Sequence, residues 1–190
     1  MAHSVLVVVD VQERLFNAMD AERRDDMVAN VKILVNAARR LDVPVLLTEQ
    51  YPRGLGRTLP ELRTLLGDTP AFEKTAFSCV GANGFMDRIR VLGADHVILA
   101  GIEAHVCVLL TALDLLAHGL RVSVVADAVC SRPTWRSASV RHARRALSSR
   151  RPRQSCSSCW AVPTPMPSAS SASCYADTAD AAILGFTSRS

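Results

Sequence analysis

The amino-acid sequence predicts an α/β fold of three layers, α/β/α, built on a central, mostly parallel sheet. Two observations carry that expectation. Strand-sized runs that are apolar throughout, VLVVV at 5–9 and VILAG at 97–101, fit strands buried on both faces, and such strands belong to parallel sheets. These runs alternate with helix-sized segments, so each strand-to-strand connection is a right-handed crossover that covers one face of the sheet. Composition agrees: a chain of 190 residues can bury its own core, and 49% hydrophobic content with 5% aromatic suits a Val, Leu and Ala interior.

In chain order, residues 4–9 form the first strand. Residues 25–41 form an amphipathic helix with Met27, Val31, Leu34, Val35 and Ala38 on one face. Pro44 bounds a second strand at 45–48, and a loop follows. Pro60 marks the first turn of a short helix at 59–66, residues 84–92 form another, and 96–100 is a strand ended by Gly101. A helix then runs from Cys107 to His118 with Gly119 as its stop, and 122–126 returns as a strand ending at Asp127. In open parallel sheets ligands bind beyond the carboxyl ends of the strands. Asp10, Gly101 and the Cys107 turn all fall on that edge.

Three segments carry chemistry. Cys107, in GIEAHVC, sits at the head of an apolar helix, whose N-terminal N–H groups and partial positive charge favour thiolate and can bind a developing oxyanion. Taken alone, a cysteine is more often a buried small hydrophobe. VLVVVDVQ ends in Asp10 and Gln12, and a carboxylate closing a central strand must be paired or face a cleft, because burying it alone is costly. FEKTAFS places Lys74 between two short apolar stretches. A lone Asp or Lys is more often a solvated surface charge, but base, cation and thiol together are the set a nucleophilic hydrolase needs.

At these motifs the chain resembles the isochorismatase-like hydrolases, a cysteine hydrolase superfamily, over about residues 4–132. The VVDVQ strand, the FEKTAFS segment and the GIEAHVC turn stand in that family's order and spacing. TEQYPRGLG at 48–56 resembles its isochorismatase domain-containing subgroup, whose substrates are mostly unassigned. The resemblance implies a Rossmann-like topology and a metal-independent hydrolase that cleaves a C–N bond of a small amide through an acyl-enzyme. It implies Asp10 as base, Lys74 as the steadying cation and Cys107 as nucleophile. It further implies a cis peptide between Ile102 and Glu103, with the amides of Glu103 and Cys107 as oxyanion donors.

Gln12, Tyr51, Phe77 and His105 are the expected substrate contacts, with Leu55 a further pocket wall. Core packing is the other reading for Tyr51, Phe77 and Leu55, and a hydrogen-bonded surface group for His105. TEQYPRGLGRTLP contains no histidine where metal-dependent nicotinamidases carry ligands, so neither metal nor cofactor is expected. Ala104 stands where nicotinamidases usually have a hydroxyl residue, which argues against nicotinamide. Family members commonly form dimers or larger assemblies, which implies a homo-oligomer. A different class also fits the resemblance: a catalytically silent isochorismatase-like interaction protein.

Charge divides the chain. Residues 1–132 hold 14 Lys/Arg against 16 Asp/Glu, whereas 133–190 hold 8 against 2, so the net +4 belongs to the tail and the body offers no electrostatic footprint for nucleic acid. No segment reaches the ~18 apolar residues of a membrane span, and the start MAHSVLVVVD lacks a basic signal region, so a cytoplasmic protein is expected. DVQERL after the first strand has no G-x-G-x-x-G, which excludes a dinucleotide-binding domain.

The organisation expected is a hydrolase domain at 1–132 and an atypical basic, Ser/Pro-rich segment at 133–190. CSSC at 156–159 has zinc or redox spacing, but Cys174 lies outside any second pair and no histidine follows Cys159. Disorder is one reading of this segment. The other is a frameshifted end of the same domain: GC-rich codons for 154–160, read two nucleotides later, give Val-Leu-Phe-Glu-Leu-Leu, a typical family ending. Resequencing the coding region across codons 133–154 is expected to restore that ending. An unshifted frame in fresh genomic DNA would sink the sequencing-error version.

Overall fold

A computed structural model describes residues 3–132. The basic segment at 133–190, with its CSSC pair and the expected frameshift, lies outside the described residues. The elements are β1 (Ser4–Val9), α1 (Glu13–Asn17), α2 (Ala21–Arg40), β2 (Val45–Gln50), α3 (Pro52–Leu55) and α4 (Pro60–Leu66). After them come β3 (Ala71–Lys74), α5 (Phe85–Val91), β4 (His96–Ile102), α6 (Leu109–Ala117) and β5 (Arg121–Cys130). A 3-10 turn at Cys79–Gly81 precedes α5, and a π-type turn at Ala104–Val108 precedes α6.

The sheet order is β3-β2-β1-β4-β5 with every pair parallel. The chain winds outward from β1 to β3 on one side, then crosses back to β4 and β5 on the other. The β1/β4 junction is therefore the switch point where parallel sheets open a crevice. β1 is buried on both faces, as its unbroken apolar run requires. Leu6 and Val8 pack with Met27, Val31 and Val35 of α2, while Val5, Val7 and Val9 pack with Phe85 of α5 and Leu115 of α6. Those two cores are the outer seams of a three-layer α/β/α sandwich.

Several boundaries differ from the sequence expectation. Helix α2 starts at Ala21 rather than at 25 because Asp20 caps it, accepting from the Glu22 N–H at 3.2 Å. β2 extends past Thr48 to Gln50, and residues 71–74, for which no element is expected from sequence, form the edge strand β3 in register with Leu47 to Gln50. Gly101 does not end β4. It pairs with Val9 at φ 124°, and a Cβ there would fall 2.2 Å from the Val9 carbonyl oxygen, so glycine permits a close strand approach. β5 passes Asp127 as well: after a register shift between Leu99 and Gly101 it rejoins β4, with Val129 beside Gly101 and Cys130 beside Ile102. Among the described residues, no helix is long and apolar enough to cross a membrane.

Gly101→Ala drives a methyl group into the β1 backbone, which cannot swing aside as a side chain would. It is expected to cost about 3 kcal/mol of stability, read as a lower urea midpoint at unchanged slope. A loss under about 0.5 kcal/mol would show that the β1–β4 approach is slack.

Candidate active site

All strands run parallel, so their carboxyl ends share one edge. Asp10 follows β1, Thr48 and Gln50 close β2, Lys74 closes β3, and the Cys107 turn follows β4. Asp10 adopts a left-handed φ of 50°, which Asp tolerates, and its N–H donates to Thr48 O at 3.2 Å. Its carboxylate is fully buried. Oδ1 accepts from Thr48 Oγ1 at 2.7 Å, and Oδ2 lies 2.7 Å from Lys74 Nζ, whose side chain is equally enclosed. The ammonium also donates to Gln50 Oε1 at 2.7 Å and to the carbonyls of Phe77 at 2.9 Å and Ala76 at 3.3 Å. Burial pushes the Asp10 carboxyl up from its ordinary range, against the pull of the Lys74 charge. For Lys74, burial is outweighed by the negative charge that Asp10 and the nearby thiols can carry, and its pKa is raised.

Cys107 lies within the Ala104–Val108 turn, two residues ahead of α6, and is 3% exposed. The carbonyl of Glu103 accepts the N–H groups of Val106 at 3.2 Å and Val108 at 3.1 Å, one on each side of the cysteine. The peptide bond between Ile102 and Glu103 is cis. The thiol interacts with the Asp10 carboxylate, and burial together with that charge raises its pKa well above the ordinary thiol range; Lys74 pulls it the other way. Burial and the Asp10 charge thus act against the thiolate that the helix N-terminus was expected to favour, and Lys74 acts for it.

Sequence reasoning missed several neighbours. Thr48 and Gln50 orient the carboxylate and the ammonium; polar residues closing the apolar run VLLTEQ gave the same signal that marked Asp10. Cys79 is a second buried thiol, five residues beyond Lys74, with Sγ 3.7 Å from Thr48 Oγ1 and a pKa pushed by burial to about 11. Thr111 ties it to the Cys107 turn, accepting from Cys79 N at 2.9 Å and donating to Cys107 O at 2.6 Å.

The expected substrate contacts fall out differently. Gln12 is fully buried and its amide serves main chain: Nε2 donates to Gln50 O at 3.0 Å and Gly56 O at 2.6 Å, and Oε1 accepts from Gln50 N at 2.7 Å. That corrects its assignment as a substrate contact, because it staples the loop after β2. Arg14 holds the same loop through Gly54 O at 2.7 Å. Buried Glu49 accepts from Thr58 N at 2.9 Å, Thr58 Oγ1 at 2.8 Å and Arg57 at 2.8 Å. Burial pushes that carboxyl up, but these bonds win and hold it below its ordinary range. Tyr51, exposed and at φ 36°, lines a cleft of about 450 Å³ beside Lys74 with Arg53, Glu73, Thr75 and Asn83. Phe77 packs against the α5/α6 core, and Leu55 is partly buried. His105 Nδ1 lies 2.9 Å from Ser131 Oγ, and burial with the Arg132 charge lowers its pKa to about 4, leaving a neutral imidazole.

Sheet order and edge chemistry together define a three-layer α/β protein with a thiol, a carboxylate and an ammonium converging at the switch point. The chain belongs to the isochorismatase family: residues 4–150 match the isochorismatase domain. It is 45% identical over 130 residues to human isochorismatase domain-containing protein 2, covering 68% of this chain and 60% of that protein. The chain spans 45% of the length of isochorismatase domain-containing protein 1 from Salmo salar, and 64% of protein 2 from Danio rerio. Among solved structures, the MAR1 ribonuclease of Caenorhabditis elegans superposes with a TM-score of 0.69 at 41% identity, over 76% of this chain and 74% of that one. YcaC of Pseudomonas aeruginosa, solved with covalent acrylamide, gives 0.69 at 26% identity over 76% and 73%. YcaC of Escherichia coli, described as an octameric hydrolase of unknown specificity, gives 0.68 at 25% over 76% and 72%.

The charges around Cys107 have testable signs. Asp10 raises the thiol pKa and Lys74 lowers it. The pH midpoint of Cys107 alkylation by iodoacetamide is therefore expected to fall by about one unit or more in Asp10→Asn and to rise in Lys74→Ala. Each variant also leaves half of a buried ion pair, a loss of about 3 to 5 kcal/mol, so midpoints are read below the onset of unfolding. An unmoved midpoint in Asp10→Asn would mean that the carboxylate does not face the thiol.

Proposed function

We propose that the chain is a cysteine hydrolase that cleaves the C–N bond of a small amide. The observation that carries this reading is the Asp10 carboxylate, held against Lys74 Nζ at 2.7 Å while also interacting with the Cys107 thiol. In the first step Asp10 takes the Sγ proton as sulfur attacks the amide carbon. The Lys74 ammonium offsets the negative charge as it passes from carboxylate to sulfur. Asp10 then returns the proton to the departing nitrogen, the C–N bond breaks, and a thioester on Cys107 is left. Water gives a proton to Asp10 and attacks the thioester. The S–C bond breaks, acid leaves, and sulfur recovers the proton.

The raised Asp10 pKa supports this role, because a base must hold the proton between the two half-reactions. The amides of Glu103 and Cys107 are the oxyanion donors of this reading. Tyr51, Phe77 and His105 flank the substrate, His105 as a neutral hydrogen-bonding group. The acrylamide adduct of YcaC supports an amide-shaped ligand at a reactive group of that relative, and the octamer of its Escherichia coli counterpart supports a homo-oligomer here. The name of the worm relative points to RNA. The body of this chain, with 14 Lys/Arg against 16 Asp/Glu, favours a small uncharged ligand instead.

Ammonia release from a panel of small primary amides by the full-length chain tests the reading. Cys107→Ala is expected to reduce release to background, and Asp10→Asn to slow it by about 10² to 10⁴. Undiminished release by Cys107→Ala, or RNA cleavage without amide turnover, would overturn it.

A further inference from the structure

β5 continues past its bulge, and its last residues bring a second set of contacts to the nucleophile turn. Val129 and Cys130 pair with Gly101 and Ile102, so the chain leaving β5 runs alongside the residues that follow β4. Ser131 Oγ then lies 2.9 Å from His105 Nδ1, and Arg132 Nε donates to Glu103 Oε1 at 2.7 Å. The Glu103 side chain is only 5% exposed, and that of Arg132 is 30% exposed. A carboxylate so enclosed needs a partner, so Arg132 sets where Glu103 points. Glu103 is in turn the backbone anchor of the turn, since its carbonyl accepts the N–H groups of Val106 and Val108 that bracket Cys107. Neither Arg132 nor the Glu103 carboxylate is needed for the proton transfers described above.

We propose that Arg132 is a positioning residue for Cys107: by fixing the Glu103 carboxylate it locks the turn that aims the thiol, while Ser131 braces the same turn through His105. This rests on Cys107 being the nucleophile. The Arg132–Glu103 pair thus ties the end of β5 to the start of the turn, across the strand edge where the reacting carbon must lie. A turn loosened there misplaces sulfur relative to both Asp10 and the substrate, and misplacement of that order lowers rates steeply.

Acrylamide labelling of Cys107 in the full-length chain, followed by peptide mass at increasing acrylamide, separates aiming from binding. Arg132→Ala is expected to lower the maximal labelling rate by about 10- to 100-fold, while the half-saturating concentration changes by less than about threefold. Arg132→Lys, which keeps the charge, recovers most of the rate. Glu103→Gln combined with Arg132→Ala recovers part of it, because no buried charge is left unpaired. Urea unfolding of each variant runs alongside, since a purely structural role would lower the midpoint yet leave the folded fraction labelling at the parent rate. Parent-like maximal rates in Arg132→Ala, or a change confined to half-saturation, would overturn the inference. Absence of Cys107 labelling in the parent would instead overturn the nucleophile reading, and this one with it.

Discussion

A carboxylate and an ammonium can both be buried only if each satisfies the other, and the Asp10–Lys74 pair imposes that condition on the whole edge of the sheet. Desolvating either charge alone would cost several kcal/mol, more than the net worth of most single interactions in a domain. The two residues come from β1 and β3, which are not neighbours: β2 lies between them. That strand supplies the bridge, with Thr48 on the carboxylate and Gln50 on the ammonium, each held at its height by parallel registers of Thr48 with Val9 and Gln50 with Lys74. Backbone carbonyls of Ala76 and Phe77 complete the shell around Nζ. The pair is thus less a fastening added to a sheet than a reason why three strands must end at one level.

The thiol inherits its character from that pair. Cys107 meets a net environment close to neutral, one negative and one positive charge, within an apolar surround that penalises any further ion. A resting thiolate would add a second negative charge to the same enclosed volume. Moving the proton from sulfur to Asp10, as proposed above, would keep the total charge constant, whereas losing it to solvent would not. Cys79 illustrates the contrast: equally buried and facing the same charges, it touches Thr48 rather than the carboxylate and has no base of its own. The two buried thiols differ in hydrogen-bonding partner, not in exposure.

How much of this could be read from the residues depends on whether a single position or a pairing carries the information. β1 was legible because the five consecutive apolar residues at 5–9 fit a strand covered on both faces. Asp10 stood out because a polar side chain at the end of such a run has to be accounted for, whereas Lys74 and Cys107 stood out through the segments FEKTAFS and GIEAHVC. β3 was not, since four residues ending in Lys carry no periodicity and become a strand only by pairing with β2. The far half of β5 was hidden for a related reason: its register shift is set by β4, not by its own composition. Gln12 misled because a polar residue near a cleft looks the same in sequence whether it faces ligand or loop. Its three main-chain bonds exist only once the loop at 51–58 has folded back over it.

That loop shows where rigidity has been placed. Gln12 reaches it from the connection after β1, Arg14 from α1 and Glu49 from β2, and Arg57 spans from Glu49 to Glu73 at 2.6 Å on the neighbouring strand. Tyr51 is carried at φ 36°, a conformation unfavourable for an aromatic residue, which persists only because the surrounding contacts over-determine it. On the opposite side of β1, the turn after β4 is braced in the same fashion by Ser131 and Arg132. The switch point therefore lies between two loops, each pinned by side chains from distant parts of the chain, with the ion pair as its floor. The exposed rim of the cleft is formed by Tyr51, Arg53, Thr75 and Asn83, with Lys74 buried beneath it.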